Sequence, residues 1–291
     1  MRVTVEAPAK LNLTLDVVGR RADGYHELES IMQSVDLTDT VTAEPDDTVG
    51  AVSLTVSGNA IPCDPEKNTA VRAARLFLQT TGVGTGVRLT VHKRIPQQAG
   101  MGGGSADAAA VLVALDALYG THLPTEELCA MGARIGADVP FCVLGGTAYV
   151  TGIGEKLTPT APLPPCYFTV AQPAEGVSTA AAYAALDAAI PSERPDHAVA
   201  LEALRAGDLP RLAGQMINVF EAATALPGVA ALRQRMSAFS PLACRMTGSG
   251  SAVFAVFTDE ERALACADAV RPIDPGALVC RPCGGCRIVG E

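Results

Sequence analysis

Three short stretches hold residues whose types and spacing could do chemistry. In Pro96-Gln97-Gln98-Ala99-Gly100-Met101-Gly102-Gly103-Gly104-Ser105-Ala106, three consecutive glycines meet a serine, and the chain then runs into alanine and leucine as far as Gly120. Glycine lets the backbone approach a phosphate closely. A helix N-terminus adds free N–H groups and a positive dipole end. The layout has two readings: an anion cradle, or a tight turn that packs a helix against a sheet. A second stretch, APAKLNLTLDV, puts Lys10 in an apolar strand pattern with Asn12 two residues on and so on the same face. Such a lysine either snorkels to water or faces a pocket. A third, RIGADVPF, sets Asp138 between a helix end and Pro140, as a turn cap or as a working carboxylate. A fourth segment, MTGSGSAVF at 246–254, reads alone only as a turn. A cradle, a cation and a carboxylate are together the parts that phosphoryl transfer needs.

The common phosphate signatures are missing. The chain has no G-x-x-x-x-G-K-[ST] and no G-x-G-x-x-G. Its formal net charge of −9 argues against nucleic acid or a membrane surface as partner. An anionic ligand must then be held by local positive groups, and only four of the 22 basic residues are lysines. The start, MRVTVEAPAKLNLTLDVVGRR, reads as alternating strand rather than a leader, and no run reaches the roughly 18 apolar residues of a membrane span. The expected place is cytoplasmic, with the nine cysteines mostly reduced. The C-terminal CRPCGGC groups Cys280, Cys283 and Cys286, one ligand short of a closed zinc site. It reads as a redox pair, a metal site or a terminal segment that happens to carry thiols.

Several elements must position these residues. Residues 2–18 alternate as strand; GRRADGYHELES is a polar turn; IMQSVDLTDTVTAEP and AVSLTVSG resume strand character. NTAVRAARLFLQTTG has helical spacing and stops at Gly82. GVRLTVHKRIP is a strand stopped by Pro96, and the helix after the glycine loop is apolar nearly all round, hence central. PTEELCAMGARIG reads as a helix with Thr125 as N-cap. The Pro-rich joint TPTAPLPPC divides the chain into 1–160 and 161–291. The second part reads as a strand, helices near 178–187, 198–206 and 209–224, a glycine turn into a strand, and a helix near 259–270. Without βαβ regularity the class is α+β.

These residues in this order resemble the GHMP kinase superfamily. PQQAGMGGGSADAAA is similar to its ATP loop, APAKLNL to its N-terminal motif and MTGSGSAVFAVF to its C-terminal glycine motif. GRRADGYHELES, ARIGADVPFCVLGGTAYVTGIGEKL and NVFE resemble one branch, which phosphorylates a cytidine-diphosphate-linked methylerythritol in non-mevalonate isoprenoid synthesis. The resemblance implies a ribosomal protein S5 domain 2-like N-terminal domain, a ferredoxin-like C-terminal domain, and ATP with Mg²⁺. It implies Lys10 and Asp138 as catalytic pair, Pro96 to Ala106 as ATP loop, Asn12 in the same pocket, and Tyr25 and His26 holding the cytosine. The implied partner is a small molecule, and the chain is expected as a monomer or weak homodimer. Two departures stand out: Gln97, Gln98 and Ala99 replace glycines often found there, and Ala106 replaces a second serine. The alternatives are a mevalonate, homoserine or sugar kinase, or a non-catalytic nucleotide-binding regulator. A base to stack favours the first reading through DGYHE.

Overall fold

The computed structural model describes residues 2–59, 61 and 63–290. The chain opens with a long antiparallel hairpin, β1 (Val3–Arg20) and β2 (His26–Asp46), whose tip is the DGYH turn. β3 (Val52–Gly58) leads through α1 (Thr69–Thr81) to β4 (Gly86–Lys93), a parallel pair with a helical crossover. The Asn68 side chain caps α1 at Ala70 N, and Gly82 ends it in the left-handed conformation that glycine adopts without penalty. Then come α2 (Gly103–Tyr119), α3 (Thr125–Ala133), α4 (Val139–Leu144), β5 (Thr147–Gly152) and β6 (Lys156–Pro159).

The second part starts with β7 (Tyr167–Ala171). It continues through α5 (Thr179–Asp187), α6 (His197–Ala206), α7 (Leu209–Ala213) and α8 (Pro227–Ser237) to β8 (Ala243–Met246) and β9 (Val253–Phe257). It closes with α9 (Glu260–Val270), β10 (Leu278–Cys280) and β11 (Arg287–Gly290). The strands form two sheets. One has the order β11-β1-β2-β4-β3, with β5 and β6 continuing from β2; the other has the order β10-β7-β9-β8. The second is all antiparallel, with its strands in the 4-1-3-2 order of a ferredoxin-like unit and the α9 crossover between its last two.

α2 is the central helix. Its alanines are buried on nearly every side, and it packs against β1, β2, α1 and α4. Small side chains let it lie close to the sheet, and that closeness sets its N-terminus beside β1. One large core runs from the first sheet through α2 into Phe168 and Phe254 of the second, so the two sheets share packing.

The structure departs from the sequence reading in places. Pro124 occupies the cap of α3, and Thr125 is its first helical residue. The stretch 209–224 is two short helices, α7 and a 3₁₀ turn at Val219–Ala222, because Asn218 turns its side chain onto Phe220 N and starts the chain afresh. ADVPFCVLGG reads from sequence as loop leading into strand, but α4 forms there, and α8 carries no expectation; both start beside a proline and are short or polar. The chain leaves the first sheet at Pro159 and enters the second at Tyr167, but β11 returns to pair with β1. Met1 and Glu291, the outer limits of the two-part division, lie outside the described residues.

Candidate functional site

Lys10 sits mid-strand in β1, 4% exposed, where a lysine has no path to snorkel. Its backbone N–H donates to Met101 O at 3.0 Å, which ties the strand to the glycine loop. Its ammonium donates to Asn12 Oδ1 at 2.5 Å and stands 3.6 Å from Asp138 Oδ2. Asn12 is held in turn: Nδ2 donates to Ser30 Oγ at 2.8 Å, and its backbone N–H donates to Thr247 Oγ1 at 3.0 Å. Asp138 immediately precedes α4 yet makes no side-chain cap bond, which leaves its carboxylate for Lys10 and for a ligand. The cap reading of Asp138 is therefore set aside.

The glycine loop has the strained geometry its composition anticipates. Gln98, Gly100 and Gly102 have φ of 56°, 75° and 73°, in the left-handed region. A Cβ at Gly100 would overlap the Thr247 carbonyl oxygen, so the first glycine turn nests directly on the second. Gly102 caps α2 without a side chain, and the first-turn N–H groups of that helix meet no capping oxygen. Asn218 braces the second turn, donating to Met246 O at 2.8 Å and Gly248 O at 2.9 Å, while Glu221 accepts from Met246 N at 2.7 Å. The NVFE segment is thus a support for the loop.

The Lys10–Asp138 pair, the glycine loop and the Gly248–Ser249 tip of the second turn open onto one cavity of about 820 Å³. Lys10, Asn12, Tyr25, His26 and Asp138 line it, as do Pro96 to Ser105. Ala106 does not: it is fully buried in the core beneath the loop, because the helix has turned it inward by that point. Ala99 and Met101 are about 1% exposed, so the loop presents their backbone rather than their side chains.

The cavity adds residues that sequence reasoning missed. Lys93, at the end of β4, is 4% exposed and bonds Asp39, Asp107 Oδ2 at 2.6 Å and Gly103 O at 3.2 Å. Asp39 also accepts from the backbone N–H groups of Arg94 and Ile95, so the triad clamps the loop entrance to the start of α2. Burial pushes the Asp107 carboxyl up to about 7 against the opposing pull of Lys93, and its Oδ1 has no partner. Scarcity of lysine was the available signal for Lys93. Tyr183 on α5 had none; it stacks on His26 with centroids 4.6 Å apart and meets Phe220 edge-on at 4.9 Å. Burial drives its phenol up to about 12.

The terminal thiols are elsewhere. Cys280 is buried in β10, and burial pushes the Cys283 and Cys286 thiols up to about 12. Thiols so shifted are protonated at neutral pH and are poor metal ligands and nucleophiles. Among the described residues no group of three His, Cys, Asp or Glu side chains is placed to hold a metal ion. None of the helices described is long and apolar enough to cross a membrane.

The chain is similar to known proteins. Residues 68–146 match the model of the GHMP kinases N terminal domain, and residues 200–272 match that of the GHMP kinases C terminal domain. The chain is 42% identical over 284 residues to the 4-diphosphocytidyl-2-C-methyl-D-erythritol kinase of Moorella thermoacetica, covering 96% of this chain and 98% of that one. It is 40% identical over 264 residues to the enzyme of the same name from Alkaliphilus metalliredigens, covering 90% of each. A crystal structure of a 4-(cytidine 5'-diphospho)-2C-methyl-D-erythritol kinase superposes with a TM-score of 0.80 at 36% identity, covering 97% of this chain and all of that one. With two family models matched and relatives at about 40% identity over nearly its whole length, the chain belongs to the GHMP kinases and, within them, to the 4-diphosphocytidyl-2-C-methyl-D-erythritol kinase family.

Proposed function

We propose that the protein transfers the γ-phosphate of ATP to the 2-hydroxyl of 4-diphosphocytidyl-2-C-methyl-D-erythritol, a step of non-mevalonate isoprenoid precursor synthesis. The observation that carries this reading is the convergence of three kinds of wall on one cavity: the Lys10–Asp138 pair, the glycine-capped start of α2, and the aromatic Tyr25, His26 and Tyr183. Every group comes from one chain.

Each wall has a physical task. The free N–H groups at the start of α2 and the Gly102–Ser105 backbone suit the phosphates of ATP, with the helix dipole adding to them. Asp138 accepts the proton of the acceptor hydroxyl as oxygen attacks phosphorus. Lys10 pairs with Asp138 and balances negative charge on the transferring group. Asn12 holds the Lys10 ammonium from the other side, so the cation is aimed before substrate arrives. Tyr25, 60% exposed, and the stacked His26–Tyr183 pair provide flat surfaces for a base.

Mg²⁺ fits this donor set as a companion of the nucleotide rather than a resident ion. The cavity offers the Ser105, Thr69, Thr179 and Ser249 hydroxyls and a single carboxylate, Asp138, and Mg²⁺ keeps waters and phosphate oxygens as its main ligands. When bound it would offset phosphate charge.

ADP release from purified protein with Mg²⁺–ATP, compared across 4-diphosphocytidyl-2-C-methyl-D-erythritol, mevalonate, homoserine and galactose, tests the reading. Release with the cytidylated acceptor alone is expected. Turnover of another acceptor would overturn the substrate assignment, and ATP binding without turnover of any would favour a regulator.

A further inference from the structure

His26 forms a partition between two cavities. It lines the principal one beside Tyr25 and Tyr183, and a second of about 310 Å³ beside Arg20 and Asp187. Asp187, the last residue of α5, lines only the second. Its Oδ1 lies 2.7 Å from His26 Nε2, and the Arg20 guanidinium stands 3.7 Å from its Oδ2. Tyr183 stands one helical turn earlier on α5 and stacks across the imidazole at 24°. One helix therefore fixes both the plane of the ring and the engagement of one nitrogen.

A carboxylate has no hydrogen to give, so the hydrogen between the two groups sits on Nε2. In the neutral ring Nδ1 is then an acceptor. Among the described residues nothing bonds to it. We propose that Asp187 is a positioning residue that fixes His26 in its Nε2–H tautomer, so that the base subsite reads an exocyclic amino group and rejects a carbonyl in the same place.

The inference rests on the base-subsite reading above and adds the discrimination that reading lacks. Cytosine and uracil have the same shape and stack alike; they differ where one carries a donor amino group and the other an acceptor oxygen. Aromatic stacking alone cannot separate them. An acceptor at Nδ1 pairs with the amino group, whereas against uracil two acceptors would face each other with neither satisfied. The Arg20–Asp187 ion pair contributes little stability of its own, since the two side chains are 64% and 42% exposed.

The test is equilibrium binding of CDP and UDP to the full chain, as wild type, Asp187→Asn and Asp187→Glu. The pH is one at which the ¹⁵N spectrum of His26 shows a neutral ring. Wild type is expected to carry the Nε2–H signature and to prefer CDP by about tenfold or more. Asn can donate as well as accept, so Asp187→Asn releases the tautomer and narrows the preference to within about threefold, while Asp187→Glu restores most of it. Turnover at saturating cytidylated substrate and the KM for ATP should stay within about twofold, as binding is changed and the transfer step is not. An unchanged CDP/UDP ratio in Asp187→Asn, an equal loss of affinity for both, or an Nδ1–H tautomer in wild type would overturn the inference alone. Wild type that binds ATP but neither CDP nor UDP would overturn the base-subsite reading and the inference with it.

Discussion

Substituting alanine at Gly100, Gly102 and Gly104 in turn separates what each glycine of the loop does. At Gly100 an alanine must hold φ of 75°, and its methyl overlaps the Thr247 carbonyl oxygen, a backbone atom that cannot rotate away. The left-handed conformation costs about 1–2 kcal/mol, and a forced backbone shift adds about 1–3 kcal/mol. Thermal unfolding should fall by roughly 5–15 °C at about 2–4 °C per kcal/mol. Gly102→Ala carries the same conformational cost, but its methyl meets the Lys10 side chain, 3.0 Å from Cγ. Stability should drop by only about 1–2 kcal/mol, while displacement of the ammonium lowers kcat by about 10- to 100-fold. Gly104 has ordinary helical backbone and open space apart from the Thr69 hydroxyl at 3.4 Å, so alanine there should stabilise by about 0.5–1 kcal/mol. The assay is a melting curve with single-turnover and steady-state ADP release for each variant. Equal melting and turnover at positions 100, 102 and 104 would refute the nested-turn account.

Asp138→Asn should lower turnover by about 10²-fold or more while ATP affinity changes little, because it removes the proton acceptor and keeps the shape; near-normal turnover would take Asp138 out of the chemistry. Asp107 is pushed up to about 7 by burial, from 3.8 in water, so the folded state binds the extra proton between those values. Wild-type stability should then fall as pH rises from about 4 to about 7, by a few kcal/mol at most, and Asp107→Asn should flatten that slope in urea titrations; a wild-type slope in the variant would assign it to other groups. Cys63 is exposed, while Cys142, Cys166, Cys266 and Cys280 are buried. A thiol reagent at neutral pH should modify one cysteine quickly, and Cys63→Ser should remove that phase; fast labelling of the half-buried Cys283 or Cys286 in that variant would contradict their raised pKa.

Local chemistry made much of this legible in sequence. Glycines before alanines announce a bare helix N-terminus, and a lysine two residues before an asparagine inside apolar alternation announces a buried polar pair. What stayed hidden depends on distant chain. Whether Asp138 caps its own helix or faces a ligand is decided by Lys10, which arrives from the first strand. Tyr183 looks like any aromatic on a short alanine-rich helix until α5 is laid against the hairpin tip. Asn218 and Glu221 look like surface residues, yet they hold the second glycine turn through backbone groups some 25 to 30 residues away. Ala106 went the other way: the family resemblance put it in the loop, and helical rotation took it into the core.

The return of β11 to the first sheet makes a clasp. Chain crosses between the sheets at 160–166 and again at 281–286, and one core runs through both. The glycine loop, Lys10 and Asp138 all stand on the first-sheet side of these crossings, while the second glycine turn that nests on Gly100 belongs to the other side. That turn is therefore carried by a segment tethered at both of its ends, and its seat against the loop does not rest on a single connector.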